Sequence, residues 1–205
     1  MLLFADLCVY PAFRKYGNWR EAIHLILPSL VGMAAAVAVI FFISDYVMQK
    51  VIGLIILLMV GLQVWKMLKP AAVERLAQAQ GFTIFAGLAG GLATMLANAA
   101  GPINQLYLLS KNIPKMDLIG IGARFFLIIN WVKVPIFAVT DFGAENGAQD
   151  SLMSGSTLMI SVLSFPMILL GIFVAKKLLT KIPQKVFEWF IIVFAVVASL
   201  KLLVF

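Results

Sequence analysis

Asn98, Gly101 and Pro102 interrupt an apolar stretch that runs from Gly81 to Ser110, and their types describe a cradle for an anion. A proline at a first helical position loses an N–H that has no helical partner anyway, a glycine lets the chain turn, and an asparagine amide donates hydrogen bonds. A helix starting at Pro102 aims unbonded backbone N–H groups and the positive end of its dipole at a ligand. The blander alternative is a Gly-Pro kink in a continuous packing helix. Gly87, Gly90, Gly91 and Ala93 lie just before the interruption and suit close helix packing.

The elements that must position this cradle follow from length. A membrane core takes about 20 helical residues to cross, so the 81–110 stretch is too long for one straight span and too short for two. Irregular backbone is tolerated at membrane depth where it is buried in protein or lines a polar cavity. A re-entrant hairpin fits, with a second arm over Pro102 to Ser110 about 13 Å long.

Composition places the whole chain in the bilayer: 63% of residues are hydrophobic and 12% charged, against roughly 25% charged in a soluble domain. Apolar runs long enough to span occur at Leu25 to Ser44, Val47 to Lys66, Asp117 to Val139, Ser156 to Ala175 and Gln184 to Leu203. They are continuous instead of alternating, which excludes a membrane β-barrel. The expected fold is an all-α integral membrane protein, a polytopic helical bundle forming one transporter domain over residues 1–205. The single cysteine, Cys8, rules out an internal disulfide, and no Cys/His spacing suggests a metal or cofactor.

Basic residues cluster in four connections: Arg14, Lys15 and Arg20; Lys66, Lys69 and Arg75; Lys111 and Lys115; and Lys176, Lys177, Lys181 and Lys185. These are assigned to the cytoplasmic side. The opposite connection, Thr140 to Gly155, carries Asp141, Glu145 and Asp150 and no basic residue. The net charge of +7 therefore reflects topology and contact with the inner leaflet. Nucleic acid is not an expected partner, because the basic residues form no continuous patch.

Two parts of the chain resemble each other. Gln49-Lys50-Val51 aligns with Gln184-Lys185-Val186, Ile56 with Ile191, Lys66 with Lys201 and Leu68 with Leu203. In the same order, Pro11 and Phe13 match Pro135 and Phe137, and Pro28 with Gly32 resembles Pro166 with Gly171. The charge rule sends Gln49 and Gln184 in from opposite sides, which makes an inverted repeat. Residues 1–68 read as a partial first repeat and 81–205 as the second. The first lacks a counterpart of the broken segment, so the chain is expected to be shortened at its amino end by about fifty residues, on the analogy of the second half.

The run Gly91-Leu-Ala-Thr-Met-Leu-Ala-Asn-Ala-Ala-Gly-Pro102, with Phe125-Phe-Leu-Ile-Ile-Asn-Trp-Val-Lys-Val-Pro135 and Ala5-Asp6-Leu7 ahead of a basic loop, resembles the sulfite exporter TauE/SafE family of permeases. The resemblance implies a multi-pass protein of the bacterial inner membrane, built from two related halves, that moves sulfite or organosulfur anions. It also implies a substrate site at Asn98, Gly101 and Pro102 on the break and Asn130 and Lys133 on the next helix. Arg124 stands where that family usually has an aromatic or small residue.

A lysine in an apolar helix is costly unless something anionic accompanies it, and Asn130 lies one turn from Lys133 on the same face. Together with a helix amino terminus they suit a small oxyanion. In the alternative, Lys133 reaches the outer interface or pairs with Asp6, whose place in the repeat matches Asn130. Arg124, on the opposite side of the same helix, is expected to extend toward the cytoplasm. His24, Trp19, Trp65 and Trp189 suit the interfaces, and Trp131 the core. Catalysis is not expected, since the spans lack paired carboxylates, a serine-histidine arrangement and metal ligands. The competing classes are an assembly subunit without its own pathway, an inactive permease fragment and a cation carrier, with self-association left open.

Overall fold

The computed structural model describes residues 2–39, 42, 44–140 and 164–204. Among them are nine helices and no strand: α1 (Leu2–Phe13), α2 (Trp19–Val39), α3 (Asp45–Leu68), α4 (Pro70–Gln78), α5 (Gln80–Ala97), α6 (Ala100–Ser110), α7 (Lys115–Thr140), α8 (Phe165–Lys181) and α9 (Gln184–Val204). Five of these, α2, α3, α5, α7 and α9, are long and apolar enough to cross a membrane. The chain is an all-α polytopic membrane protein. The acidic connection with Asp141, Glu145 and Asp150, and the first part of the span expected over Ser156 to Ala175, lie outside the described residues.

Small residues set the closest packing. α2 packs most extensively against α5, where Ser29 Oγ lies 2.8 Å from Leu25 O and 2.9 Å from Gly87 O. A methyl group on Gly91 would stand 2.1 Å from Ser29 O, and one on Gly32 would stand 2.3 Å from Leu88 O. Backbone meets backbone here, as the glycines ahead of the break lead one to expect. Large apolar side chains such as Leu54, Leu58, Phe173 and Phe194 point outward, as surfaces facing lipid tails must.

The helices matched by sequence lie side by side. Lys50 Nζ donates to Leu203 O at 2.7 Å, so the start of α3 meets the end of α9 and the two run antiparallel. α1 packs against α7. At the other end of the bundle the basic connections are tied together. Lys111 pairs with Glu21 at 2.9 Å, Lys176 Nζ donates to Ala12 O at 3.1 Å, and Lys115 Nζ donates to Ile182 O. These connections therefore share one end, as a common cytoplasmic assignment requires. The short helix α4 was not foreseen; Val73 and Ala77 are buried, and Asn112 Nδ2 donates to Glu74 Oε1.

Candidate functional site

The 81–110 stretch is a hairpin of unequal arms. α5, with 18 residues, is about 27 Å long and α6, with 11, about 16 Å. Thr83 Oγ1 and Tyr107 Oη are 2.8 Å apart, whereas 24 residues of continuous helix would separate them by about 36 Å. This excludes the simple kink. Lys66 Nζ donates to Leu109 O at 2.5 Å and Gln63 Nε2 to Leu106 O at 2.6 Å, satisfying carbonyls near the end of α6 and fastening the short arm to α3.

The turn itself differs from the sequence expectation. Asn98, at φ 52° and ψ 31°, is the left-handed residue that ends α5, and its N–H and that of Ala99 both donate to Ala93 O. Asparagine tolerates this region better than other non-glycine residues. Gly101 was expected to make the turn and Pro102 to open the helix, but α6 begins at Ala100 and contains both. Pro102 is tolerated there because the first four N–H groups of a helix lack partners in any case. No side chain caps α6, and a methyl on Gly101 would meet nothing within 4 Å. The amino end of α6 therefore borders open space.

Lys133 reaches this break. Its side chain is buried, at 4% exposure, and Nζ donates to Asn98 Oδ1 at 2.9 Å. It does not extend to an interface, and among the described residues it makes no direct salt bridge with Asp6, whose carboxylate nevertheless lies near enough to attract it electrostatically. Since Asn98 uses its oxygen on Lys133, its Nδ2 remains as the donor. Asn130 is drawn elsewhere: Nδ2 donates to Asp6 Oδ2 at 2.6 Å, joining α7 to α1. Asn98 and Lys133 thus meet at the turn beside Gly101 and Pro102, while Asn130 supports the same helix one turn away.

Replacing Asn98 by alanine forces a left-handed backbone on a residue that resists it, whereas glycine accepts it. Both variants remove the partner of Lys133. Asn98→Ala is therefore expected to be about 1 kcal/mol less stable than Asn98→Gly, measured by unfolding in detergent. Equal stability of the two would contradict the turn geometry.

Arg124 extends toward the basic end, as expected, but it is buried at 4% exposure instead of reaching lipid headgroups. Its guanidinium donates to Tyr16 O at 2.6 Å, Arg14 O at 2.7 Å and Gly120 O at 2.8 Å, and it lies over the rings of Tyr10 and Trp19. It holds the α1–α2 loop onto α7. Trp131, expected in the core, is 53% exposed.

Three residues near the break were not singled out for the site. A cavity of about 400 Å³ beside the end of α5 is lined by Gln49, Lys201, Ala97 and neighbouring apolar side chains. Gln49 and Lys201 had appeared only as repeat matches. The third is Asn104 on α6, 2% exposed, whose amide oxygen and nitrogen are both sealed from solvent without a hydrogen-bond partner. Such a group costs about 1–3 kcal/mol to leave unsatisfied. An asparagine inside so apolar a helix was the available signal.

Neither a curated protein nor a solved structure matches the chain. The family model described as sulfite exporter TauE/SafE matches residues 1–202, nearly the whole length. With its spanning helices and broken hairpin, the chain belongs to the sulfite exporter TauE/SafE family, which consists of membrane transporters of sulfur anions and not of enzymes.

Proposed function

We propose that this protein is a permease of the bacterial inner membrane for sulfite or a small organosulfonate, which binds at the hairpin break. The observation that carries this reading is the buried Lys133 ammonium, bonded to the neutral Asn98 oxygen beside the uncapped end of α6. An ammonium away from water seeks negative charge, and an oxyanion takes donors from Lys133, Asn98 Nδ2 and the first N–H groups of α6 together. Gly101 leaves room for the ligand, Pro102 stiffens the first turn of α6, and Asn130, bonded to Asp6, sets the position of α7. The cavity beside the end of α5 adds a second cation, Lys201, near the break.

Residues 1–68 and 81–205 act in this reading as two related, inverted halves. The antiparallel pairing of α3 with α9 and the contact between the repeat-equivalent residues Asp6 and Asn130 support it. No cofactor takes part in the proposed transport.

Ligand binding to the folded state raises stability, by about 2.7 kcal/mol at a hundredfold excess over Kd. Sulfite is expected to raise the melting temperature of the detergent-solubilised protein while chloride at equal ionic strength does not. A sulfite shift no larger than the chloride shift would contradict binding and favour an assembly subunit without a pathway.

A further inference from the structure

Asn104 lies one helical turn below the break, three residues after Gly101 and four after Ala100, on the same face of α6. Side chains on a helix lean toward its amino end, so the buried Asn104 side chain leans toward the first turn of α6, whose N–H groups no side chain caps. Among the described residues it is the buried amide with neither polar atom bonded. Native structures rarely leave such a group empty; where they do, a water, an ion or a functional role accounts for it. Lys133 Nζ bonds Asn98 Oδ1 and Gln63 Nε2 bonds Leu106 O, and neither bonds the Asn104 amide.

We propose that Asn104 is a further substrate-contacting residue, and that it selects an oxyanion carrying one acidic proton over an aprotic oxyanion of equal charge. This rests on the reading of the break as the anion site. The amide offers a donor at Nδ2 and an acceptor at Oδ1. A hydrogen oxyanion such as hydrogensulfite, in its S–OH form, accepts from Nδ2 through one oxygen and gives its hydroxyl proton to Oδ1 as a hydrogen bond. Methanesulfonate has the same charge and similar size but carries no such proton, so it leaves Oδ1 facing an oxygen or a methyl group. Lys133 and the α6 dipole respond to charge and treat the two alike. Discrimination therefore falls to the group that would be left unpaired.

The test uses the full chain in proteoliposomes at mildly acidic pH, with unlabelled hydrogensulfite or methanesulfonate competing against labelled sulfite. The wild type is expected to prefer hydrogensulfite by about tenfold in half-inhibiting concentration. Asn104→Leu, which keeps the volume but lacks both polar atoms, is expected to bring the ratio near one while sulfite flux persists. Asn104→Gln, which keeps the amide, is expected to retain most of the preference, and Asn104→Ala reads the ratio if Asn104→Leu does not insert. An unchanged ratio in the apolar variant, with flux still dependent on Lys133, would overturn the role of Asn104 alone and leave a buried water as its partner. Absence of sulfite flux in the wild type would overturn the permease reading and this inference with it.

Discussion

Lys133→Met is expected to lower sulfite flux by about 10- to 100-fold without loss of folded protein. Methionine fills nearly the same volume and is adaptable in packing, so the change removes the ammonium and its bond to Asn98 Oδ1 with little disturbance of α7. A hydrogen bond to a charged group contributes about 1.5–3 kcal/mol, or roughly one to two decades in binding. Removing a buried cation from an apolar helix also lifts a desolvation cost, so stability is expected to hold or rise. Lys133→Arg is not a rescue, because the planar guanidinium cannot reproduce a point charge at the same place. Lys69→Met, an exposed change in a basic connection, supplies the control. Initial rates of labelled sulfite uptake, normalised to protein recovered as a single species, measure the effect; equal rates in Lys133→Met and wild type would remove the ammonium from the mechanism.

The second large effect falls on packing. Gly91→Leu is expected to separate α2 from α5 and abolish a cooperative thermal transition in detergent. Even a methyl at Gly91 would stand 2.1 Å from Ser29 O, a backbone atom that cannot rotate away. Overpacking of this kind typically costs about 1–3 kcal/mol, and leucine adds three further carbons. The hairpin would lose its main neighbour, since Gly32 over Leu88 O and Ser29 over Gly87 O belong to the same contact. Gly61→Leu is the matched control, because a methyl at Gly61 meets nothing within 4 Å. A cooperative melt near the wild-type temperature in Gly91→Leu would show that α2 and α5 do not depend on this approach.

Much of the architecture was legible because the bilayer limits what a chain can do. Runs such as Val47 to Lys66 have few alternatives to a spanning helix, and a thirty-residue apolar stretch with basic residues beyond both ends had to return to its own side. That Lys133 and Asn98 lie together was implied by the family resemblance, whereas the residues alone paired Lys133 with Asn130, which bonds Asp6 instead. Details set by three-dimensional neighbours did not follow. Gly101 is the more permissive residue for a turn, yet Asn98 makes it, because the ladder of α5 ends at Ala93 O and places Asn98 at the reversal. Trp131 was misplaced because α7 carries cations on opposite sides, Arg124 and Lys133, so no periodic pattern distinguishes its inner face from its outer one. Asn104 went unremarked for a related reason: whether an asparagine is partnered depends on what stands opposite, and sequence spacing along α6 does not supply that.

In the proposed transport a negatively charged sulfur oxyanion crosses the bilayer by way of the uncapped turn between α5 and α6. The most direct measurement is uptake of labelled sulfite into sealed proteoliposomes of the full chain, compared with protein-free liposomes and with sodium uptake into the same vesicles. Saturable sulfite uptake above the protein-free level, without matching entry of sodium, is the result predicted. Sulfite entry equal to that of protein-free vesicles, from protein that melts cooperatively, would contradict it.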